Sequence, residues 1–186
     1  MNTTIPTADE TRLAPPEPPV ERPVDPERLS VAQRVGEVAA AVIMSVLLAL
    51  YCGFFIYHQL AGTGFFTARF GGWEMLLFYG PLAFGLAAPI TRALTGRRNP
   101  GRLAEALANA VQLVATTWLL IVFPFNFAHL ADALPVATRF ALAWVSDDIG
   151  RAVMIFQIIV CALTVAVRTG QYVFHGLRES GFLPEA

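Results

Sequence analysis

Residues 38–60, VAAAVIMSVLLALYCGFFIYHQL, contain no charged side chain and only a few polar ones, and their reading decides the fold. At about 1.5 Å of rise per residue, an uninterrupted apolar run of this length covers a bilayer hydrocarbon core of about 30 Å. The run is therefore expected to be a transmembrane helix. No short basic segment precedes it, as a cleavable leader would require, so it is expected to stay in the protein.

Three further runs of the same kind lie beyond it. Gly62, Thr63 and Gly64 end the first, and a second goes from Trp73 to about Leu94 with Pro81 and Pro89 inside it, where a kink is expected. The third runs from about Leu103 to Leu130, bent near its far end by Pro124, and the fourth from about Ile149 to Tyr172. Between the third and fourth, Pro135 to Ser146 is too short to span; a short interfacial helix anchored by Trp144 is expected there. Phe65, Phe66 and Phe70 are expected along the membrane interface. The fold class is all-α: a polytopic membrane protein with four transmembrane helices in an up-down bundle.

The 186-residue chain supports this reading, with 55% hydrophobic and only 15% charged residues and a mean hydropathy of +0.55. These values exceed those of ordinary soluble domains. Three segments are expected: a tail over residues 1–30, a transmembrane domain over 31–175 and a short tail over 176–186. Pro15, Pro16, Pro18, Pro19, Pro23 and Pro26 interleave with charges in the first tail, which has little to bury and reads as disordered or polyproline-like. Pro15 and Pro18 match PxxP, a spacing common enough in such tails to carry little weight as a docking motif.

All 13 basic side chains are arginines. Arg12, Arg22, Arg28 and Arg34 precede or open the first span, Arg92, Arg97, Arg98 and Arg102 surround the second connection, and Arg168 and Arg178 lie near the C-terminus. The opposite side holds Arg69, Arg139 and Arg151 among Glu74, Asp132, Asp147 and Asp148. The positive-inside bias then places both termini in the cytoplasm, with the plasma membrane as the expected location. Split among tails and loops, the arginines form no contiguous phosphate-neutralising face, so nucleic acid is not an expected partner.

The third and fourth spans carry matching polar stripes. Glu105, Asn109, Gln112 and Thr116 share one helical face, and Gln157, Cys161, Thr164 and Arg168 repeat the same spacing. Antiparallel helices would pair Glu105 with Arg168, Asn109 with Thr164, Gln112 with Cys161 and Thr116 with Gln157. A helix–helix seam is expected, closed by a Glu105–Arg168 ion pair and by amide and hydroxyl bonds across it. The alternative is a hydrated path for an ion or small solute. In the first span, Ala41, Ser45, Ala49 and Gly53 make a small-residue face suited to close approach of another helix, in this chain or a partner.

His58 and His129 fall near the same outer boundary, where two imidazoles could ligate a haem axially or make ordinary interfacial hydrogen bonds. Glu74 and Asp132 lie close to them in the same reading and would suit a shallow metal or quinone-head site, although no tight ligand spacing is present. Cys52 and Cys161 lie in apolar runs and read as free buried thiols. No nucleophile, base and acid occur in a catalytic spacing, and there is no glycine-rich phosphate loop. The expected function is non-catalytic: an accessory or assembly subunit acting by helix association with other membrane subunits or itself. The alternatives are a b-type haem or quinone-binding redox subunit using His58 and His129, and a small-solute or ion transporter.

Overall fold

The computed structural model describes residues 27–179, which are helical apart from the connections. The helices are α1 (Val31–Ala61), α2 (Gly72–Phe84), α3 (Ala87–Thr95), α4 (Arg98–Val122) and α5 (Asp147–Glu179). Four stretches are long and apolar enough to cross a membrane: α1, α2 with α3, α4, and α5. Most of the proline-rich tail, residues 1–26, and the last residues, 180–186, lie outside the described residues.

Local chemistry moves several boundaries. α1 starts seven residues before the apolar run because Ser30 and Gln33 form a capping box: Ser30 Oγ accepts from Gln33 N at 3.2 Å, and Gln33 Oε1 from Ser30 N at 3.0 Å. Residues 27–29 belong to the folded part, not the tail. Leu29 N donates to Gly96 O at 2.8 Å, and Arg98 N donates to Glu27 O at 3.0 Å.

The second span breaks at Gly85 and Leu86 instead of bending at a proline. Pro89 sits in the first turn of α3, where a missing N–H costs nothing, and it cannot donate to the carbonyl four residues earlier. The chain bridges the gap with tighter bonds, Gly85 N to Leu82 O and Leu86 N to Ala83 O, both at 3.2 Å.

The third span ends at Val122, eight residues short of the expected Leu130. Pro124 terminates it. The residue before a proline is driven out of the α region, and Phe123 adopts a left-handed conformation at φ 42°. The chain then turns into a 3₁₀ helix over Phe127–Ala133. The stretch expected as one short helix before α5 holds a second 3₁₀ helix, Val136–Ala141, then a turn in which Trp144 Nε1 donates to Ala141 O at 2.8 Å.

α4 is the central element, packed against α5, α3 and α2, whereas α1 leans on α3 and the Phe127–Ala133 turn and does not pack along α5. The best-buried cluster gathers at one end. There the α1–α2 and α4–α5 connections pair, Asn126 N donating to Phe65 O at 2.7 Å and Thr67 N to Pro124 O at 3.0 Å. Phe65 is 1% exposed and packs with Phe125, Leu119 and Leu130. Loop pairing thus folds Phe65, expected along the membrane interface, into the protein core.

Gly150, in the first turn of α5, lies under this cluster. A Cβ there would run into the Phe127 ring at Cε2, and that ring is held by Phe65, Phe123 and Phe125. Gly150→Ala is expected to destabilise by about 1–3 kcal/mol despite its better helix propensity. Thermal unfolding in detergent, followed by circular dichroism, measures this; an unchanged midpoint would show that the ring moves freely.

Candidate functional site

Four side chains from the four spans meet at the arginine-rich end. Glu105 of α4 accepts from Arg92 of α3 through Oε2 and from Arg168 Nε of α5 at 3.0 Å through Oε1. Arg92 Nη1 also reaches Glu37 Oε2 of α1 at 3.5 Å. A second group lies beside it, where Glu27 Oε1 accepts from Arg102 Nη1 at 2.9 Å and lies 3.5 Å from His175 Nε2. Arg34 adds bonds from its Nε and Nη2 to Ala93 O at 3.1 and 2.8 Å, fixing the start of α1 to the end of α3.

Helical spacing pairs Glu105 with Arg168 but leaves Arg92 and Glu37 out. The sequence groups Arg92, near the end of the second span, with the arginines of the second connection, whereas α3 carries it over α4. Gly101 makes that crossing feasible. A Cβ on it would collide with Arg92 Cγ, so the arginine stem runs directly over the glycine to reach Glu105.

The polar stripes face the α4–α5 side, yet among the described residues only Glu105 and Arg168 bond across it. Asn109 Nδ2 donates to Glu105 O of its own helix at 2.8 Å, Gln112 Nε2 to Thr116 Oγ1 at 3.0 Å, and Thr164 Oγ1 to Val160 O at 2.8 Å. Bonds within each helix stand where cross-seam amide and hydroxyl bonds are expected, because residues four apart on one helix are always within reach: Asn109 and Thr164 take the carbonyl four residues back, and Gln112 the hydroxyl four residues ahead. Thr116 of α4 and Cys161 of α5, on the two stripes, are buried.

Gln112, Thr116 and Gln157 instead help line a cavity of about 410 Å³. Its walls are otherwise mainly apolar, with Tyr51 and Phe55 from α1 and Val153 and Met154 from α5. It sits towards the aromatic end, separated along the helices from the Glu105 network.

The structure places the two outer histidines in different settings. His58 is 2% exposed; its Nδ1 shares a hydrogen bond with Thr63 Oγ1 at 2.5 Å, and its ring packs on Phe54 and Phe65. His129 is half exposed, lies with Cδ2 3.1 Å from where a Gly64 Cβ would be, and gives Asp132 Oδ2 a hydrogen bond at 2.9 Å. Neither histidine lines the apolar cavity. Glu74 is committed elsewhere, accepting from Gly71 N at 3.1 Å and Trp118 Nε1 at 3.2 Å. Among the described residues, no group of three His, Cys, Asp or Glu side chains could hold a metal ion. Cys52 and Cys161 are free thiols.

Comparison of the chain with protein-family models, with curated proteins and with solved structures finds no match. The site is therefore read on its own chemistry.

Glu105→Gln removes the carboxylate that holds Arg92 and Arg168, and is expected to cost about 1–3 kcal/mol. Thermal unfolding in detergent would show it, with Asn109→Ala as the near-neutral comparison. At the other end, the bond from His129 and the charge of Arg139 hold the Asp132 carboxyl below its ordinary range. A depressed carboxylate stabilises the fold fully above its unfolded value of about 4 and loses that contribution as pH falls further. Acid titration of Asp132→Asn is expected to show a shallower loss below pH of about 4 than the parent chain.

Proposed function

We propose that the chain is a non-catalytic membrane protein that acts by helix association, as an accessory or assembly subunit or as a homo-oligomer, with α1 as its contact helix. The observation carrying this reading is the state of α1. No residue in its most apolar 18-residue window is buried. It is fastened at its ends, by Arg34 and Glu37 at one and by Gln59 at the other, where Tyr79 Oη donates to Gln59 Oε1 at 2.9 Å.

Of its small-residue face only Ala41 is half-buried. Ser45, Ala49 and Gly53 are exposed, and a Cβ on Gly53 would have no neighbour within 4 Å. Lipid has no need of such a groove, whereas a second helix uses one to bring backbones together. The surrounding arrangement in this reading is an up-down bundle in the plasma membrane. The arginine-rich end and both termini lie in the cytoplasm, with the Val136–Ala141 turn and Trp144 at the opposite interface. Its partners are the lipid bilayer and other membrane subunits or a second copy.

A transport reading has one supporting observation, the amide and hydroxyl groups of Gln112, Thr116 and Gln157 on the cavity wall. The pairing of Glu105 with Arg92 and Arg168 stands against it, because it fills the inner end of the same helix face.

Replacing Ala49 and Gly53 together by Leu tests association. Size-exclusion chromatography in mild detergent, with identification of comigrating proteins, is expected to show the parent chain in a complex and the double variant as a folded monomer. A parent chain that runs only as a free monomer, with nothing comigrating, would end this reading.

A further inference from the structure

Between the inner ends of α1 and α5, beside the Glu105 network, lies an open pocket of about 570 Å³. Four arginines line it, Arg92, Arg98, Arg102 and Arg168, together with Gln33, whose Oε1 accepts from Ser30 N, and Gln171, whose Oε1 accepts from Arg168 Nη1 at 3.0 Å, so that both amide NH2 groups remain as donors. Glu37 is the one carboxylate on its wall.

The charges around it do not balance. Arg92 is shared by Glu37 and Glu105, Arg168 lies on the other oxygen of Glu105, and Arg102 is paired with Glu27. Arg98 has no carboxylate partner among the described residues, although its backbone N–H is fixed on Glu27 O. Among the described residues, three carboxylates are thus set against the four arginines that line the pocket, an excess of one positive charge. A phosphodiester carries one negative charge and acceptor oxygens that match the guanidinium fork.

The pocket has a second property: it opens along the side of the bundle. α1 does not pack against α5, and Ala40 closes the membrane-facing end of the pocket lining. Further along the same helix pair is the mainly apolar cavity with Tyr51 and Phe55 on one wall and Val153 and Met154 on the other. A headgroup at the arginines would leave its acyl chains beside apolar surface, whereas a free anion would use only the inner end. Basic pockets between transmembrane helices at a membrane boundary are suited to anionic headgroups.

We propose that this pocket is a binding site for one anionic phospholipid, its phosphate held by Arg98 and Arg168 and its headgroup hydroxyls by Gln33 and Gln171. A zwitterionic lipid would bring an ammonium group towards the same arginines and bind less well. The inference rests on the four helices crossing a bilayer, and is independent of association through α1.

Native mass spectrometry of the full chain in detergent, titrated with dioleoylphosphatidylglycerol or dioleoylphosphatidylcholine, tests it. One phosphatidylglycerol is expected to be retained per chain, with a preference over phosphatidylcholine of about tenfold that Arg98→Glu removes. Arg151→Glu, at the opposite end over the Phe123 ring, is expected to leave that preference intact. Helical circular dichroism of both variants checks folding.

Equal retention of the two lipids, or an unchanged preference in Arg98→Glu, would overturn the proposal. Displacement of phosphatidylglycerol by millimolar inorganic phosphate would give the pocket to a free anion instead. A full chain that takes up phosphatidylglycerol only once its acidic first 26 residues are removed would give it to the chain's own N-terminal segment.

Discussion

A single carboxylate sets the geometry of the arginine-rich end. Glu105 accepts from Arg92 and Arg168, and Arg92 reaches on to Glu37, so one short chain of charges touches all four membrane-length stretches. In a bilayer the apolar faces of helices gain little by meeting one another, since lipid is as apolar as they are. Directional contacts must then choose neighbours and register. The Glu105 network does so at one end. At the other, pairing of the 65–67 and 124–126 strips seals an aromatic core around Phe65. Everything between, including the cavity and the bare middle of α1, is held by these two fixed ends.

Much of this was legible in the residues. Four apolar runs correspond to four membrane-length helices, and the i, i+4, i+7, i+11 stripes put Glu105 and Arg168 on facing sides of α4 and α5. The features that escaped the reading depended on backbone events. The early start of α1 was written in Ser30-x-x-Gln33, a capping signal outside the apolar run. The early stop of α4 was written in Phe123-Pro124, where proline restricts the residue before it. The role of Arg92 escaped because an arginine near the end of a span is grouped with the connection's charges, whereas its long apolar stem lies over Gly101 and keeps it on the bundle.

Burial at the aromatic end also went unread. Phe65 and His58 each stand near the end of an apolar run, where nothing local marks them as buried. Sequence distance from a helix end does not report whether a connection folds back over the bundle. Here it does, through two backbone bonds between connections about 60 residues apart, a separation that no local pattern encodes. The cross-seam amide bonds failed to form for a related reason. Periodicity places side chains on a face but cannot say whether an amide bonds outward or to its own helix.

The pairing of residues 27–29 with 96–98 has a bearing on the order in which the protein is made. The segment that pins the beginning of α1 binds one that emerges from the ribosome nearly 70 residues later. Until then the start of α1 is held only by its own Ser30–Gln33 capping box. A helix that waits for its fastening gains from a body that needs no cover inside the chain, and in α1 no residue of the most apolar 18-residue window is buried.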